Sequence, residues 1–162
     1  MPNYSAPIVN IDDAVAIAQR ARSDGRSVVL ANGCFDLFHV GHIRYLQGAK
    51  DKGDLLIVGI NSDRQTALLK GEGRPIMPEN ERAEMVAALK CVDAVTIFDE
   101  PTVEKLLRAI RPDMHAKGTD YTAESVPEAE IVAEIGGRVV IVGDPKDHST
   151  TELLSKINAA RD

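Results

Sequence analysis

Ser27-Val-Val-Leu-Ala31 runs straight into Asn32-Gly-Cys-Phe-Asp-Leu-Phe-His39-Val-Gly41-His42, and this stretch decides how the chain is read. Its first part is a short β-branched run of the kind that forms a buried strand. Asn32-Gly33 ends it, and from Gly41 to Lys52 apolar residues recur at helical spacing, at Ile43, Leu46 and Ala49. A strand that turns into a helix presents free backbone N–H groups and the positive end of a helix dipole, which suits a phosphate. Gly33 and Gly41 carry no Cβ, so they are expected to let the backbone approach a ligand closely. His39 and His42 are expected to share one side of the first turn and donate hydrogen bonds to phosphate oxygens. Two other readings of the pair stay open here: metal ligands completed by distant residues, and plain capping or packing histidines.

Working outward, further buried strands are predicted at Asp54–Ile60, Asp93–Phe98, Asp113–Ala116 and Arg138–Val142. Helices are predicted over Asp12–Ser23, from Asn61-Ser-Asp63 to about Leu69, and over Glu79–Leu89, Pro101–Ile110, Pro127–Ile135 and Ser149–Ala160. Lys70–Pro78, rich in Gly and Pro, reads as a loop. Strands that are apolar on both faces and alternate with helices imply a parallel sheet covered on both sides. The expected architecture is a single α/β Rossmann-like doubly wound domain over residues 1–162, with about five parallel strands. Residues 1–25 are expected to form an N-terminal helical extension packed on it. In such sheets ligands bind beyond the carboxyl ends of the strands. Here those ends carry Asn32–Gly41, Asn61–Asp63, Phe98–Asp99, Lys117–Tyr121 and Gly143–Thr151.

Composition narrows the function. With 44% hydrophobic residues the chain can build a core, and a net charge of −6 argues against bulk nucleic-acid or anionic-membrane binding. A small cationic pocket for anionic ligands remains compatible with that charge. No apolar run approaches a bilayer-spanning length, and residues 1–11 lack a signal-peptide pattern, so a cytoplasmic location is expected. Cys34 and Cys91 have neither metal-type spacing nor a disulfide framework and read as small buried residues.

The Asn32–His42 context around His39-Val-Gly41-His42 resembles the H-x-G-H cytidylyltransferase-like superfamily of nucleotidyltransferases. The resemblance extends along nearly the whole chain, through Lys70-Gly-Glu-Gly-Arg74-Pro75, Arg82, Lys117-Gly118-Thr-Asp120-Tyr121 and His148-Ser149-Thr150-Thr151. Their order and spacing are similar to the branch that adenylylates D-glycero-β-D-manno-heptose 1-phosphate to make ADP-heptose for lipopolysaccharide core. Many members of that branch are fused to a sugar kinase. A chain of 162 residues has no room for one, so a separate upstream kinase is expected. The chain departs from the branch at Met114-His115, where relatives carry aliphatic residues, and at Lys156, where much of the superfamily has Arg.

The resemblance implies in-line attack of a sugar 1-phosphate on the α-phosphorus of ATP, with Mg²⁺ sharing the charge and no metal site assigned to protein side chains. His39, His42 and Lys70 are the implied catalytic residues. Asn32, Gly33, Cys34, Phe35, Asp36 and Gly41, with Ser149, Thr150 and Thr151, are implied to bind nucleotide. Arg74, Lys117, Gly118 and Asp120 are implied to bind the acceptor, while Asp36 reads equally well as a turn cap. Arg82, flanked by Glu81 and Glu84, is read as a structural ion pair at least as readily as a ligand contact. Relatives are commonly oligomeric, so a homodimer is expected. Two alternatives stand: a CTP-dependent cytidylyltransferase acting on glycerol 3-phosphate or a similar alcohol, and a nucleotide-binding module without turnover.

Overall fold

A computed structural model describes residues 4–145 and 147–161. The strands are β1 (Ile8–Val9), β2 (Val28–Gly33), β3 (Leu55–Asn61), β4 (Ala94–Phe98), β5 (Met114–Lys117) and β6 (Arg138–Ile141). The helices are α1 (Ile11–Ser23), α2 (Val40–Lys50), α3 (Asp63–Lys70), α4 (Glu79–Ala87), α5 (Glu104–Ile110), α6 (Ala129–Glu134) and α7 (Thr150–Ala159). All strand pairs are parallel, in the order β1-β4-β3-β2-β5-β6.

The sheet thus has six strands rather than about five. The additional one, β1, is an edge strand paired to β4 through Ile8↔Val95 and Val9↔Thr96. It falls in the stretch read as a helical extension, and two residues are too few to show a period.

Every residue of β3 is buried, as a strand covered on both faces requires. On one face, Leu46 and Ala49 of α2 and Ala83, Val86 and Ala87 of α4 pack on alternate strand residues such as Val29, Leu56 and Val58. On the other, the Ala14, Ala18 and Ala21 stripe of α1 joins Leu106, Leu107 and Ile110 of α5 against Leu30 and Ile57. Small alanines on α1 let that helix lie close to the sheet, and Asn10 caps it by accepting from the Asp13 N–H. Ser62 and Ser149 cap α3 and α7 in the same way.

From β2 the chain winds outward through β3 to β4, then crosses back past β2 to β5 and β6. The direction of winding therefore reverses between β2 and β5, where helices diverge to opposite faces and leave a crevice. That reversal positions the site.

Candidate active site

Beyond the carboxyl ends of β2 and β5 lies a cleft of about 460 Å³. Its volume suits a small-molecule ligand. One wall is the segment leaving β2, with Asn32, Gly33, Cys34 and Phe35, followed by His39, Gly41 and His42 of the α2 entry. The other wall is Lys117 at the end of β5 with Gly118 and Asp120 after it, and Lys70 also lines the cleft. Lys70 is the last residue of α3 rather than part of the loop. The structure therefore brings eleven of the sequence-nominated residues to one cavity, from three separate parts of the chain.

The histidines are organised by their own backbone. His39 is the N-cap of α2, and its Nδ1 accepts the Gly41 N–H at 3.1 Å. Nδ1 of His42 accepts the His39 N–H at 3.2 Å, and the two rings stack with centroids 3.8 Å apart. A neutral imidazole whose Nδ1 accepts must carry its proton on Nε2. Each histidine therefore offers an Nε2–H donor. Burial, then the neighbouring His39 and Lys70, push the His42 pKa down to about 3, and burial likewise lowers that of His39. The pair therefore caps the start of α2 while keeping an N–H on each Nε2.

The glycines answer to these rings. A Cβ on Gly41 would stand 2.9 Å from His39 Nδ1, and one on Gly33 would stand 3.1 Å from the Phe35 ring. Phe35 adopts φ 51° and Leu37 φ 54°, a left-handed backbone that costs free energy for residues other than glycine. Burial of the Phe35 ring, which packs 5.3 Å from the His42 ring, opposes that cost.

Asp36 and Arg74 are placed differently from the other nominated residues. Neither lines the cleft. The Asp36 carboxylate is buried and accepts Arg74 Nε at 2.6 Å and the N–H groups of Ile76 and Met77. These bonds hold its pKa low although burial opposes them. Asp36 thus latches the 71–78 loop to the β2 segment, and Arg74 is the other half of the latch. Ser149, Thr150 and Thr151 also lie outside the cleft lining. Ser149 caps α7, and Thr150 Oγ1 donates to the Asp36 carbonyl at 3.1 Å, tying α7 to the same segment.

Arg82 is wholly buried in α4. It pairs with Asp63 at 2.8 Å, not with the flanking Glu81 or Glu84, and donates to the carbonyls of Met77 and Cys34. It holds the β2 exit from behind. Cys34 and Cys91 are half-buried rather than core residues.

Several residues that line the cleft had no assigned role in the sequence reading, His148, Tyr45 and Asp144 among them. His148 reaches the His39 side, where its Cβ would lie 3.5 Å from a Cβ on Gly41. Its place just before Ser149-Thr150-Thr151 was the available signal. Tyr45 lines the cleft and donates its hydroxyl to the Ala116 carbonyl at 2.8 Å, and Asp144 pairs with Arg44 at 2.5 Å. Nothing local in the sequence marks Tyr45, whereas Asp144 falls within the strand-end segment Gly143–Thr151. Among the described residues, no three His, Cys, Asp or Glu side chains converge to hold a metal, and no helix is long and apolar enough to cross a membrane.

The depressed histidine pKa values carry a stability prediction. Unfolded histidine takes its proton near pH 6.5, whereas folded His42 takes it only near about 3. Between those values the unfolded state binds more protons, so stability present above pH 6.5 is lost as pH falls. Urea midpoints are expected to drop from about pH 6.5 to about pH 5.5, above the carboxylate range. His42→Asn, which keeps an acceptor for the His39 N–H but cannot titrate, is expected to reduce that slope, with His39 and His115 supplying the remainder. An unchanged slope would remove the assignment of a neutral, buried His42.

A doubly wound parallel sheet with a cleft at its reversal is an α/β fold of the kind that binds ligands beyond the carboxyl ends of its strands. Residues 30–157 match the cytidylyltransferase-like family model, and the chain belongs to that family. It is a nucleotidyltransferase. The chain is 47% identical over 156 residues to the bifunctional protein HldE of Geotalea uraniireducens (strain Rf4), covering 96% of this chain and 32% of that protein. It is 45% identical over 152 residues to the bifunctional protein HldE of Geobacter sulfurreducens, covering 94% and 31% respectively. The chain thus spans about a third of the length of the curated relatives it matches. Among solved structures, the lipopolysaccharide core biosynthesis protein from Thermoplasma volcanium GSS1 superposes with a TM-score of 0.64 at 32% identity, over 75% of this chain and 100% of that one. Pantoate-beta-alanine ligase from Francisella tularensis shares the fold, with a TM-score of 0.63 at 16% identity over 98% of this chain and 80% of that one.

Proposed function

We propose that this chain transfers AMP from ATP to D-glycero-β-D-manno-heptose 1-phosphate, releasing pyrophosphate and giving ADP-heptose for lipopolysaccharide core synthesis in the cytoplasm. The observation that carries the transfer chemistry is the stacked, neutral His39–His42 pair, whose two Nε2–H donors stand in a cleft flanked by Lys70 and Lys117. The acceptor assignment is supported by the similarity to the HldE proteins and to the lipopolysaccharide core biosynthesis protein.

The nucleophile is already an anion, so the site needs no general base. Its work is to hold two polyanions in line and to stabilise charge growing on the α-phosphate and the departing pyrophosphate. The Nε2–H donors of His39 and His42 hydrogen-bond to those oxygens without having to gain a proton first. Lys70, exposed at the end of α3, meets the β- and γ-phosphates, and Lys117 meets the acceptor phosphate on the opposite wall. Gly33 and Cys34 border the nucleotide.

The cleft suits Mg²⁺ carried in by the triphosphate, because such an ion takes few protein ligands and keeps water and phosphate oxygens. Asn32 Oδ1, buried and without a hydrogen-bond partner on the cleft wall, is the oxygen this chain would offer it. The ion would supply charge neutralisation on the phosphates.

The reading is tested with a panel of ATP, CTP, GTP and UTP against heptose 1-phosphate and glycerol 3-phosphate, scored by pyrophosphate release. ATP with heptose 1-phosphate is expected to be preferred, with activity abolished by a chelator and restored by Mg²⁺. Preference for CTP with glycerol 3-phosphate would replace the proposed donor and acceptor. Nucleotide binding without pyrophosphate release for any acceptor would remove the proposed reaction.

A further inference from the structure

His115 lies on β5 in register with Leu30 of β2, its side chain wholly buried. Its Nδ1 is 3.3 Å from the Leu30 carbonyl oxygen, and its Nε2 is 3.9 Å from Oε2 of Glu128, the N-cap residue of α6. The same carboxylate oxygen is 3.4 Å from Nζ of Lys117, two residues along β5, and that ammonium stands 4.9 Å over the Tyr121 ring. His115 Nε2 and Glu128 Oε2 are both buried and have no hydrogen-bond partner. A cleft lysine is thus backed by a buried carboxylate, and the carboxylate by a buried imidazole.

This arrangement is one proton short. A neutral imidazole carries a single N–H. On Nδ1 the proton serves the Leu30 carbonyl and leaves a lone pair facing the carboxylate. On Nε2 it faces the Glu128 carboxylate across 3.9 Å, too long for a hydrogen bond, and leaves a lone pair facing the carbonyl. Either tautomer sets acceptor against acceptor in the interior, which costs free energy. The charged groups facing His115 are Lys117 from its own strand and Glu128 from the start of α6. Neighbouring β2 presents the Leu30 carbonyl, β6 presents Val139, and Tyr45 of α2 stands close enough to feel Glu128. Burial and the Lys117 ammonium lower the His115 pKa, while Glu128 raises it. The position of one ammonium therefore decides whether the second proton is held.

We propose that Glu128 is the positioning residue for Lys117 in the acceptor-phosphate subsite, and that the Glu128–His115 pair takes one proton from solvent when a phosphate draws the ammonium away. Without ligand, Glu128 holds Lys117 against the cleft wall. A phosphate dianion competes for the ammonium, and the carboxylate would be left buried without a counter-charge, a costly state. Protonation of His115 at its free nitrogen restores an ion pair, satisfies both the Leu30 carbonyl and Glu128, and adds positive charge behind the phosphate. This rests on the assignment of Lys117 to the acceptor phosphate, but its readout needs an anion and not turnover.

The test uses the whole chain with ¹⁵N-labelled histidine, titrated with inorganic phosphate near pH 7. The His115 nitrogens, assigned by their loss in His115→Leu, are expected to move from the neutral to the imidazolium pattern as phosphate saturates. Calorimetry in buffers of different ionisation enthalpy is expected to show uptake approaching one proton more per phosphate bound than in His115→Leu, a difference that cancels the ionisation of phosphate itself. That excess is expected to vanish in Glu128→Gln and Lys117→Met. In turnover, Glu128→Gln is expected to raise KM for the sugar phosphate about tenfold, with KM for ATP changed less than about twofold. Phosphate that fails to bind, binds without that excess proton uptake, or binds Lys117→Met as well as the parent overturns the proposal. Should Glu128→Gln fold poorly, His115→Leu keeps the carboxylate and decides the proton uptake alone. Coupled proton uptake in a protein that releases no pyrophosphate from ATP and heptose 1-phosphate would remove the proposed reaction and leave this inference standing.

Discussion

His42→Asn is expected to lower kcat by roughly 10²- to 10³-fold while leaving KM for ATP nearly unchanged, as for loss of a donor used mainly in the transition state. Asn is chosen because its side-chain oxygen can still accept the His39 N–H that His42 Nδ1 accepts at 3.2 Å. The first turn of α2 therefore keeps its cap, and the loss falls on the Nε2–H donor. His42→Ala removes cap and donor together and is expected to lower stability as well as kcat. The pair is also expected to be non-additive, because the His39 and His42 rings stack 3.8 Å apart and each bonds within the same turn. Steady-state kinetics with ATP and acceptor varied separately, beside urea denaturation, separates the two effects. Turnover of His42→Asn within about threefold of the parent would remove the histidine from the chemistry.

Arg82→Met is expected to cost about 3–5 kcal/mol of stability, the largest effect of any single substitution considered. The guanidinium is wholly buried and satisfies the carbonyls of Cys34 and Met77 and the carboxylate of Asp63. Methionine replaces much of the volume and none of the donors, so two interior carbonyls lose their partners. For a chain of this length that loss corresponds to a fall in Tm on the order of 10 °C. Arg82→Lys is expected to rescue little, since one ammonium cannot reproduce three divergent N–H directions. The damage is also expected to reach the cleft, because Arg82 grips the Cys34 carbonyl at the β2 exit. KM for ATP is expected to rise in the surviving folded fraction at low temperature. Urea unfolding at constant m-value measures the cost. A loss below about 1 kcal/mol would show that water or rearranged backbone satisfies those carbonyls.

The two substitutions differ in how visible their targets were beforehand. His42 stands in a contiguous motif, with glycines and a second histidine within a few residues, so its neighbours in space are its neighbours in sequence. Arg82 has near neighbours Glu81 and Glu84 that suggest a surface ion pair. Its real partners, Asp63 and the Cys34 carbonyl, arrive only when α3 and the β2 exit pack against α4. The same holds for Asp36 and Arg74, joined across 38 positions by the folding back of the 71–78 loop.

Local order was legible because it is written in local chemistry. The β-branched runs marked β2, β3 and β4, Ser62 and Ser149 marked helix starts, and the Asn32–His42 segment marked the strand-to-helix turn that builds one wall of the cleft. These features depend on periodicity, backbone freedom and capping, all decided within a few residues. β1 escaped notice because Ile8–Val9 is a strand only through its pairing to β4. The packing of β5 beside β2, which brings Lys117 to the histidine cleft and buries His115 between Leu30 and Glu128, depends on a crossover of the chain. Sequence alone determined most of the strands and helices and singled out the strand-to-helix turn proposed to hold phosphate. Tertiary structure decided which charges face that turn and which are buried behind it, because distant side chains acquire neighbours, and a dielectric, only when the sheet assembles.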